Sequence, residues 1–370
     1  MIVENIKRCA QCIMPASVPG VTLNKDGICN FCLSFKEITY LGQEKLDKIV
    51  ESIRDKAPRY DCIVPMSGGR DSTYALYVAR KIYKLRTLAV NYDNEFRHDQ
   101  ALANIKNACK ILDTEFISVR SKQHLGQKIV QSTIREYLSG GRFGIPPETC
   151  IACNYGIKGI PYREAERHGV PLIIYAGSQE EKSKDMITKV YSGVNIPFKK
   201  KIIGKLRLKY LNPYHWKFRY YQMLQKKEFS VSGNSILSSS VRPTLKNKNI
   251  TELHLFDYIP WDRKKITETI TGELGWERTP GHISSWRNDC ALHQFVNYDF
   301  ITLFGCTRDC FGYCKMINSG KMAREEALKQ EEAMLASYND GAINNVNIEE
   351  LLKNEVGLSK KEIAQLVSKQ

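Results

Sequence analysis

The residues best suited to chemistry lie in one short loop, Ser67-Gly-Gly-Arg-Asp-Ser72. The apolar run Cys62–Met66 before it predicts a buried strand, and the apolar-periodic segment that begins at Asp71 predicts a helix. Two consecutive glycines let a backbone fold closely around an anion. The free N–H groups and the positive dipole end of the following helix attract negative charge. The loop is therefore predicted to bind phosphate.

The residue order in this loop is neither the Walker pattern Gly-x-x-x-x-Gly-Lys-Ser/Thr nor the dinucleotide-binding pattern Gly-x-Gly-x-x-Gly. It resembles the PP-loop of the N-type ATP pyrophosphatases, which split ATP into AMP and pyrophosphate and transfer AMP to a substrate oxygen. We call residues 67–72 the PP-loop. The resemblance implies that ATP is bound and that its phosphates are held by Ser67, Gly68, Gly69 and Ser72.

Two charged residues of the PP-loop are the candidate catalytic residues. The resemblance implies that Arg70 offsets the charge that develops on pyrophosphate and that Asp71 orients the helix start or a magnesium ion. The alternative for Asp71 is a plain carboxylate at a helix N-terminus.

Two further residues follow predicted strands of the same sheet. Asn91 lies near the end of the apolar run Leu85–Asp93, and Gly177 follows the buried run Val170–Tyr175. Ligands of open parallel sheets bind at the carboxyl ends of the strands, so both residues are expected in the ATP site, with Asn91 near the adenosine half. An ordinary strand end is the alternative for Asn91.

Four cysteines near the N-terminus form two C-x-x-C pairs, Cys9/Cys12 and Cys29/Cys32, joined by a loop that is rich in proline and glycine. This spacing is typical of tetrahedral zinc sites with four thiolates. Because four ligands leave no open position on the metal, the predicted role is structural. A redox dithiol is the alternative.

A third C-x-x-C pair, Cys150 and Cys153, precedes a predicted helix, and Cys290 lies far along the chain. Three thiolates can hold a [4Fe-4S] cluster and leave one iron free to bind sulfide. The arrangement resembles the iron–sulfur class of PP-loop tRNA thiolation enzymes. The alternatives are buried thiols or a second zinc ion.

The composition describes an ordinary globular protein, with 42% hydrophobic and 26% charged residues among 370. Its apolar runs are far shorter than the roughly 20 residues that span a bilayer, and no signal peptide is evident, so we expect a cytoplasmic protein without membrane insertion. Twelve cysteines in such a protein favour metal ligation or catalysis over disulfides. The spacing of Cys306, Cys310 and Cys314 favours core packing.

The formal charge of +15 implies polyanionic partners. Basic and aromatic residues interleave over 198–210 and 216–227, a pattern that can follow a phosphate backbone, although a solvated helix face is the commoner reason for it. The segment Ser230–Ser240 is predicted to be an exposed loop.

Predicted strands near 61–66, 86–92, 114–118 and 171–176 alternate with helical patterns such as Asp99–Leu112 and Lys122–Tyr137. This alternation predicts an α/β fold with a doubly wound parallel sheet. We expect a zinc-binding module at 1–40, a PP-loop ATP pyrophosphatase domain at 41–265 and a mainly helical C-terminal region at 266–370.

Most of the chain resembles the N-acetyl sugar amidotransferases of surface-glycan biosynthesis. The matching motifs are Cys9–Cys12 with Met14-Pro15, the knuckle Gly27–Cys32, Tyr60–Ser72, Tyr258–Trp261 and Gly320–Ala327. The resemblance implies adenylation of an acetamido or carboxyl oxygen, followed by displacement of AMP by ammonia from a separate glutaminase subunit. This chain departs from the family at Arg70, where the family usually has lysine. Arginine keeps the positive charge, but its planar guanidinium donates hydrogen bonds in a fork-like geometry, whereas the lysine ammonium acts as a point charge. The three cysteines are a second departure, since ammonia chemistry needs no cluster.

Three functions therefore stay open: transfer of nitrogen to an N-acetyl sugar, insertion of sulfur into a nucleobase, nucleotide or other small-molecule carbonyl, and non-catalytic nucleic-acid binding by a zinc protein. The predicted cofactors are ATP, Mg²⁺ and Zn²⁺, with a [4Fe-4S] cluster under the second function. The predicted acceptor is an anionic small molecule, such as a nucleotide-linked sugar or a nucleotide, and tRNA is a less favoured partner.

Overall fold

The protein is described here by a computed structural model that covers residues 6–140, 146–194, 211–229, 250–287 and 289–368. Its central sheet is built from the strands β1 Cys62–Pro65, β2 Thr87–Asp93, β3 Glu115–Arg120, β4 Leu172–Tyr175 and β5 Thr251–His254. The strand order is β3-β2-β1-β4-β5, and every neighbouring pair is parallel. The chain reverses its direction of winding between β1 and β4, and ligands of open α/β sheets bind at such a point.

Helices connect the strands and form the C-terminal part. They are α1 Asn30–Leu33, α2 Gln43–Ile53, α3 Arg70–Tyr77, α4 Asp99–Ile111, α5 Leu125–Leu138, α6 Ile151–His168, α7 Lys184–Gly193, α8 Pro213–Glu228, α9 Leu255–Tyr258, α10 Arg263–Leu274, α11 Leu292–Phe304, α12 Asp309–Asn318, α13 Arg324–Tyr338, α14 Ile348–Glu350 and α15 Lys360–Ser368. A short hairpin pairs β6 Ala342–Ile343 with β7 Val346–Asn347. Turns of π-helix extend α3 over Val78–Ile82 and α14 over Leu351–Glu355, and a 3₁₀ turn, Lys122–His124, precedes α5.

Both faces of the sheet are covered by helices. On β1, Cys62 and Val64 belong to one buried cluster and Ile63 to a second cluster on the opposite face, as the alternation of a strand requires. Helix α6 packs against β1, β2 and β4, whereas α3 packs against β1 and β4, and α4 packs against β3. The predicted doubly wound parallel sheet is therefore confirmed.

The four predicted strands lie within two residues of the observed ones, but β5 was not predicted. Thr251 and Glu252 are exposed and only Leu253 is fully buried, so this short edge strand lacks the continuous apolar run that marks the inner strands. The basic segment 198–210 and the predicted loop Ser230–Ser240 lie outside the described residues.

The N-terminal cysteine region packs on the C-terminal helices. Arg324 of α13 donates from Nε to the carbonyl oxygen of Cys12 at 3.0 Å, and Gln11 donates to the side chain of Asn318 at 2.9 Å. Cys306, Cys310 and Cys314 are fully buried in the same cluster, as predicted. None of the described helices combines the length and the apolar character needed to span a bilayer.

Candidate active site

A cavity of about 530 Å³ opens at the carboxyl ends of β1 and β4, where the winding of the sheet reverses. The PP-loop after β1 forms one side, and the segment Ala176–Lys184 after β4 forms another. A third side comes from Ser285–Arg287 and Asp289–Cys290, before α11, and from Arg308, before α12. The cavity lies where an α/β sheet of this order binds its ligand.

Gly68 has the most constrained backbone in the PP-loop. Its φ is +83°, and a Cβ at this position would lie 2.1 Å from the carbonyl oxygen of Ala101. Its own carbonyl oxygen accepts hydrogen bonds from Nε1 of Trp276 at 3.0 Å and from Nδ2 of Asn104 at 3.3 Å. The tight turn therefore needs glycine for both its conformation and its space.

The hydroxyl groups of the PP-loop hold its shape. Ser72 Oγ accepts the N–H of Ser67 at 3.2 Å and lies 3.2 Å from Ser67 Oγ, which accepts the N–H of Gly69 at 3.2 Å. Helix α3 begins directly afterwards at Arg70, and no described side chain caps its start. The first N–H groups of the helix therefore remain available to an anion in the cavity.

Arg70 is buried and makes polar contacts through all three guanidinium nitrogens. Nε donates to Asp71 at 2.8 Å, Nη2 to Glu181 at 2.6 Å and Nη1 to Ser285 at 2.9 Å. The ring of Trp261 covers the guanidinium at 4.9 Å. Arg70 thus fixes two carboxylates and links three segments of the chain, and its predicted contact with pyrophosphate stays a prediction.

Asp71 and Glu181 form an acidic pair on the cavity wall. Asp71 Oδ1 also accepts a hydrogen bond from Nε1 of Trp261 at 3.2 Å. Burial raises the pKa of Glu181 to about 8 and the negative charge of Asp71 adds to this rise, although Arg70 opposes it. Glu181 can therefore hold a proton near neutral pH. A magnesium ion at Asp71 stays a prediction.

Asn91 lies on the cavity wall and joins three strands. Its Nδ2 donates to the carbonyl oxygen of Met66 at 2.7 Å, and its Oδ1 accepts from Arg97 at 2.5 Å and from Ser118 at 2.9 Å. The side chain holds the start of the PP-loop, and its predicted contact with adenosine is untested. Gly177 also lines the cavity, where a Cβ would meet Lys182 Cε at an ordinary 3.9 Å.

Two cationic side chains that we did not predict, Arg287 and Arg308, line the cavity. Arg287 has a left-handed backbone, with φ of +48°, and no described carboxylate pairs with its guanidinium within 4.0 Å. Arg308 donates to Ser183 Oγ at 2.8 Å. Burial and the charge of Arg287 lower the pKa of Arg308 to about 10. Despite burial, the negative charge of Asp289 raises the pKa of Arg287. Two guanidiniums on the wall of one cavity favour an anionic ligand there.

The three cysteines of the predicted cluster lie in one region of the site. Asn94 Nδ2 contacts the sulfur of Cys153 at 3.7 Å and that of Cys290 at 3.3 Å. These sulfurs are therefore no more than 7.0 Å apart, the sum of the two distances. A backbone bridge between Arg97 and Cys290 places Cys290 there.

The third cysteine, Cys150, is close enough to influence the pKa of Cys153. Burial raises the pKa of Cys153 well above its ordinary value, and the neighbouring thiols of Cys290 and Cys150 add to the rise. The separation of Cys153 and Cys290 is within the roughly 10 Å that ligands of one compact cluster span, so these two thiols fit such a group. Cys153 and Cys290 line the cavity beside the PP-loop, a candidate nucleotide cavity, and Cys150 is exposed at the start of α6.

The N-terminal thiols form a second, buried group. Sγ of Cys9 lies 3.8 Å from Cys32, Cys12 lies 3.8 Å from Cys29, and Cys29 lies 3.5 Å from Cys32, with all four sulfurs within 4.8 Å. Metal–sulfur bonds of about 2.3 Å in a tetrahedron place the sulfurs about 3.8 Å apart. The N–H of Cys29 donates to Cys9 Sγ at 3.2 Å. The group can therefore hold a metal ion.

Comparison with known proteins concerns the domain that carries this cavity. Residues 60–173 match the family model described as the tRNA methyl transferase HUP domain. An uncharacterized protein from Methanocaldococcus jannaschii is 31% identical over 109 residues, which are 28% of this chain and 39% of that protein. The chain thus spans about two fifths of the length of the curated relative that it matches.

Two solved structures are also similar. The NH3-dependent NAD synthetase from Campylobacter jejuni is 14% identical with a TM-score of 0.26, and the match covers 50% of this chain and 91% of that one. The NMN synthetase from Francisella tularensis is 15% identical with a TM-score of 0.25, and the match covers 53% and 90%. The family match and the parallel sheet together show that the chain contains a HUP domain of the PP-loop ATP pyrophosphatase type.

Proposed function

We propose that this protein uses ATP to adenylate a carbonyl or carboxyl oxygen of an anionic small molecule and then replaces AMP with nitrogen, as an N-acetyl sugar amidotransferase. The observation that carries the adenylation step is the PP-loop, which turns tightly at Gly68 and presents an uncapped helix start to a cavity of about 530 Å³. An amide or carboxylate oxygen is a poor leaving group, and adenylation converts it into AMP, which nitrogen can displace. The choice of nitrogen and of an N-acetyl sugar rests on the motif resemblance.

In this proposal the protein mainly binds and orients its two substrates. The PP-loop holds the phosphates, while Arg287 and Arg308 offset negative charge in the cavity. Magnesium, held at Asp71, would screen the phosphates. Arg70 fixes Asp71 and Glu181, and Glu181 can hold a proton beside the loop. Ammonia would come from a glutaminase partner, and zinc at the four N-terminal thiols would be structural.

The products of ATP test the adenylation step. We expect AMP and pyrophosphate in equal amounts, measured by phosphorus NMR in the presence of an acceptor. Combining Ser67→Ala with Asp71→Ala should abolish turnover, because the loop loses a hydroxyl bridge and a carboxylate. Release of ADP and phosphate alone, or full activity in the double variant, would contradict the proposal.

The convergence of Cys153 and Cys290 on Asn94 favours a second candidate, replacement of the adenylated oxygen by sulfur. A [4Fe-4S] cluster at these thiols and Cys150 would supply the sulfur. The chain's own contribution is to bring the thiols to the wall of the cavity that the PP-loop also lines.

Three single variants separate nitrogen from sulfur: Cys150→Ala, Cys153→Ala and Cys290→Ala. Each is assayed anaerobically with ammonium salts and, separately, with sulfide, and its iron and sulfide contents are measured. Amidotransfer predicts ammonium-dependent turnover in all three. Loss of turnover together with loss of iron in each variant would show that the reaction needs the cluster. That result would exclude cluster-independent amidotransfer and would support sulfur insertion.

A further inference from the structure

A second cavity, of about 150 Å³, lies within the C-terminal helical part. Phe295 of α11, Leu352 beyond α14, and Ile363 and Leu366 of α15 form much of its wall, and all four are buried. It shares no lining residue with the candidate nucleotide cavity. A cavity of about 150 Å³ with an apolar wall is large enough for a ligand the size of benzene.

One wall of this cavity carries a buried carboxylate without a partner. Asp299 of α11 is 6% exposed, and its Oδ2 finds no hydrogen-bond donor among the described residues. Buried polar atoms are nearly always satisfied, because an unpaired one costs free energy. Asp299 lines the cavity, and its carboxyl group forms no hydrogen bond with the described residues, so a ligand in the cavity can supply a donor to it.

The charged residues around the cavity determine the sign of the charge that such a ligand must carry. The other ionisable lining residues are Asp340, Glu349 and Tyr298, and none of the described lining residues is a lysine, arginine or histidine. An anion would be repelled by three carboxyl groups, and a neutral apolar molecule would leave Asp299 unpaired. A cation with a short apolar body satisfies both the carboxylate and the apolar wall.

We propose that this cavity binds a small organic cation, a primary amine of about five to eight non-hydrogen atoms. Its ammonium group pairs with Asp299, and its hydrocarbon part packs against Phe295 and Leu352. Burial raises the pKa of Asp299 to about 7, which agrees with a site that lacks its counter-ion. Asp340, Glu349 and the phenols of Tyr298 and Tyr137 are the other titratable groups near Asp299.

Binding of n-butylammonium to the full chain tests the proposal by calorimetry and by thermal unfolding. We expect saturable binding and a higher melting temperature, with n-butanol and butyrate at least tenfold weaker. These three ligands have nearly the same size, so the comparison isolates the positive charge and needs no variant. Equal effects of butylammonium and butanol, or no binding, would overturn the proposal.

Asp299→Asn keeps the shape of the side chain and removes its charge. The variant should bind butylammonium at least tenfold more weakly, whereas Asp113→Asn, an exposed control outside the cavity, should bind like the wild type. At pH 6 the wild type should release about one proton per amine, because the ammonium requires an ionised Asp299. Calorimetry in two buffers of different ionisation enthalpy measures this release. Unchanged affinity and proton release in Asp299→Asn would assign any amine binding to another place.

Discussion

At the scale of single residues, the two glycines of the PP-loop have different structural roles. Gly68 combines a positive φ with contact against Ala101, whereas Gly69 has an ordinary φ of −75°. The sequence shows only two adjacent glycines, and the structure separates one that the backbone requires from one that it does not.

We therefore expect Gly68→Ala to lower the free energy of unfolding by about 2–5 kcal/mol, because the left-handed backbone costs about 1–2 kcal/mol and overpacking about 1–3 kcal/mol. ATP binding should be lost in this variant. In Gly69→Ala the new Cβ would lie 3.2 Å from Ser67 Oγ, so a small shift suffices and the fold should be kept. Denaturant unfolding and ATP titration measure both effects. Equal stability of the two variants would contradict this account of Gly68.

Glu181 should make stability depend on pH. Its pKa rises from an ordinary 4.5 to about 8 in the folded protein, so the folded state binds a proton more tightly than the unfolded state does. This stabilisation is complete below about pH 4.5 and is lost as the pH rises to about 8. Glu181→Gln does not titrate, so the melting temperature of the wild type relative to this variant should fall across that window. A difference that stays constant with pH would show that Glu181 keeps its ordinary pKa.

At the scale of elements, helix α6 lies unusually close to the sheet. A Cβ at Gly156 would lie 2.5 Å from the ring of Tyr92, whose hydroxyl accepts a hydrogen bond from Gln225 at 3.0 Å. The same helix carries Cys153 into the active site. The absence of a side chain at Gly156 thus helps to set the position of Cys153, a candidate cluster ligand about one helical turn away.

Gly156→Ala should lower the free energy of unfolding by about 1–2 kcal/mol, because overpacking against Tyr92 exceeds the gain in helix propensity. Gly272→Ala is the matched control, since Gly272 lies inside α10 and a Cβ there would have no neighbouring atom within 4 Å. That control should stabilise the protein by about 0.5–1 kcal/mol. Chemical denaturation measures both, and a change of the same sign in both variants would refute the close packing of α6.

Sequence patterns predicted the elements with continuous apolar runs and the site residues with a local motif. The inner strands, the PP-loop and the two cysteine pairs belong to these groups. Strand β5 was not predicted from the sequence, because an edge strand need not be apolar throughout. Glu181 and Arg287 were not identified as site residues, because their partners are distant in the chain. Arg70 and Glu181, for example, are 111 residues apart. Such contacts are set by tertiary packing, which a local pattern does not encode.

At the scale of the whole molecule, the four-thiol group near the N-terminus is connected to helix α13 of the C-terminal part. Arg324 donates to the carbonyl oxygens of Cys12 at 3.0 Å and Cys9 at 3.4 Å, so the geometry of the cysteine loop and the position of α13 depend on each other. Loss of the metal should therefore destabilise more than the first 40 residues.

Cys29→Ser should remove about one zinc equivalent per chain and lower the melting temperature of the whole protein, because a closed thiolate site contributes its binding energy to folding. Arg324→Met is the comparison variant, which should keep its zinc and lose less stability. Metal analysis and calorimetry measure the two properties. A soluble Cys29→Ser protein with full zinc and unchanged melting would disprove the assignment of these thiols.

The contact between Arg324 and Cys9 spans 315 residues, which has a consequence for biosynthesis. At about 5–20 residues per second, a ribosome needs roughly 15–60 s to make the chain between these two residues. For most of that interval the two cysteine pairs have been synthesised, but helix α13, which contacts them, does not yet exist. The nascent N-terminus must therefore keep four thiols reduced or already metallated until synthesis is nearly complete, so zinc supply during translation should affect the yield of folded protein.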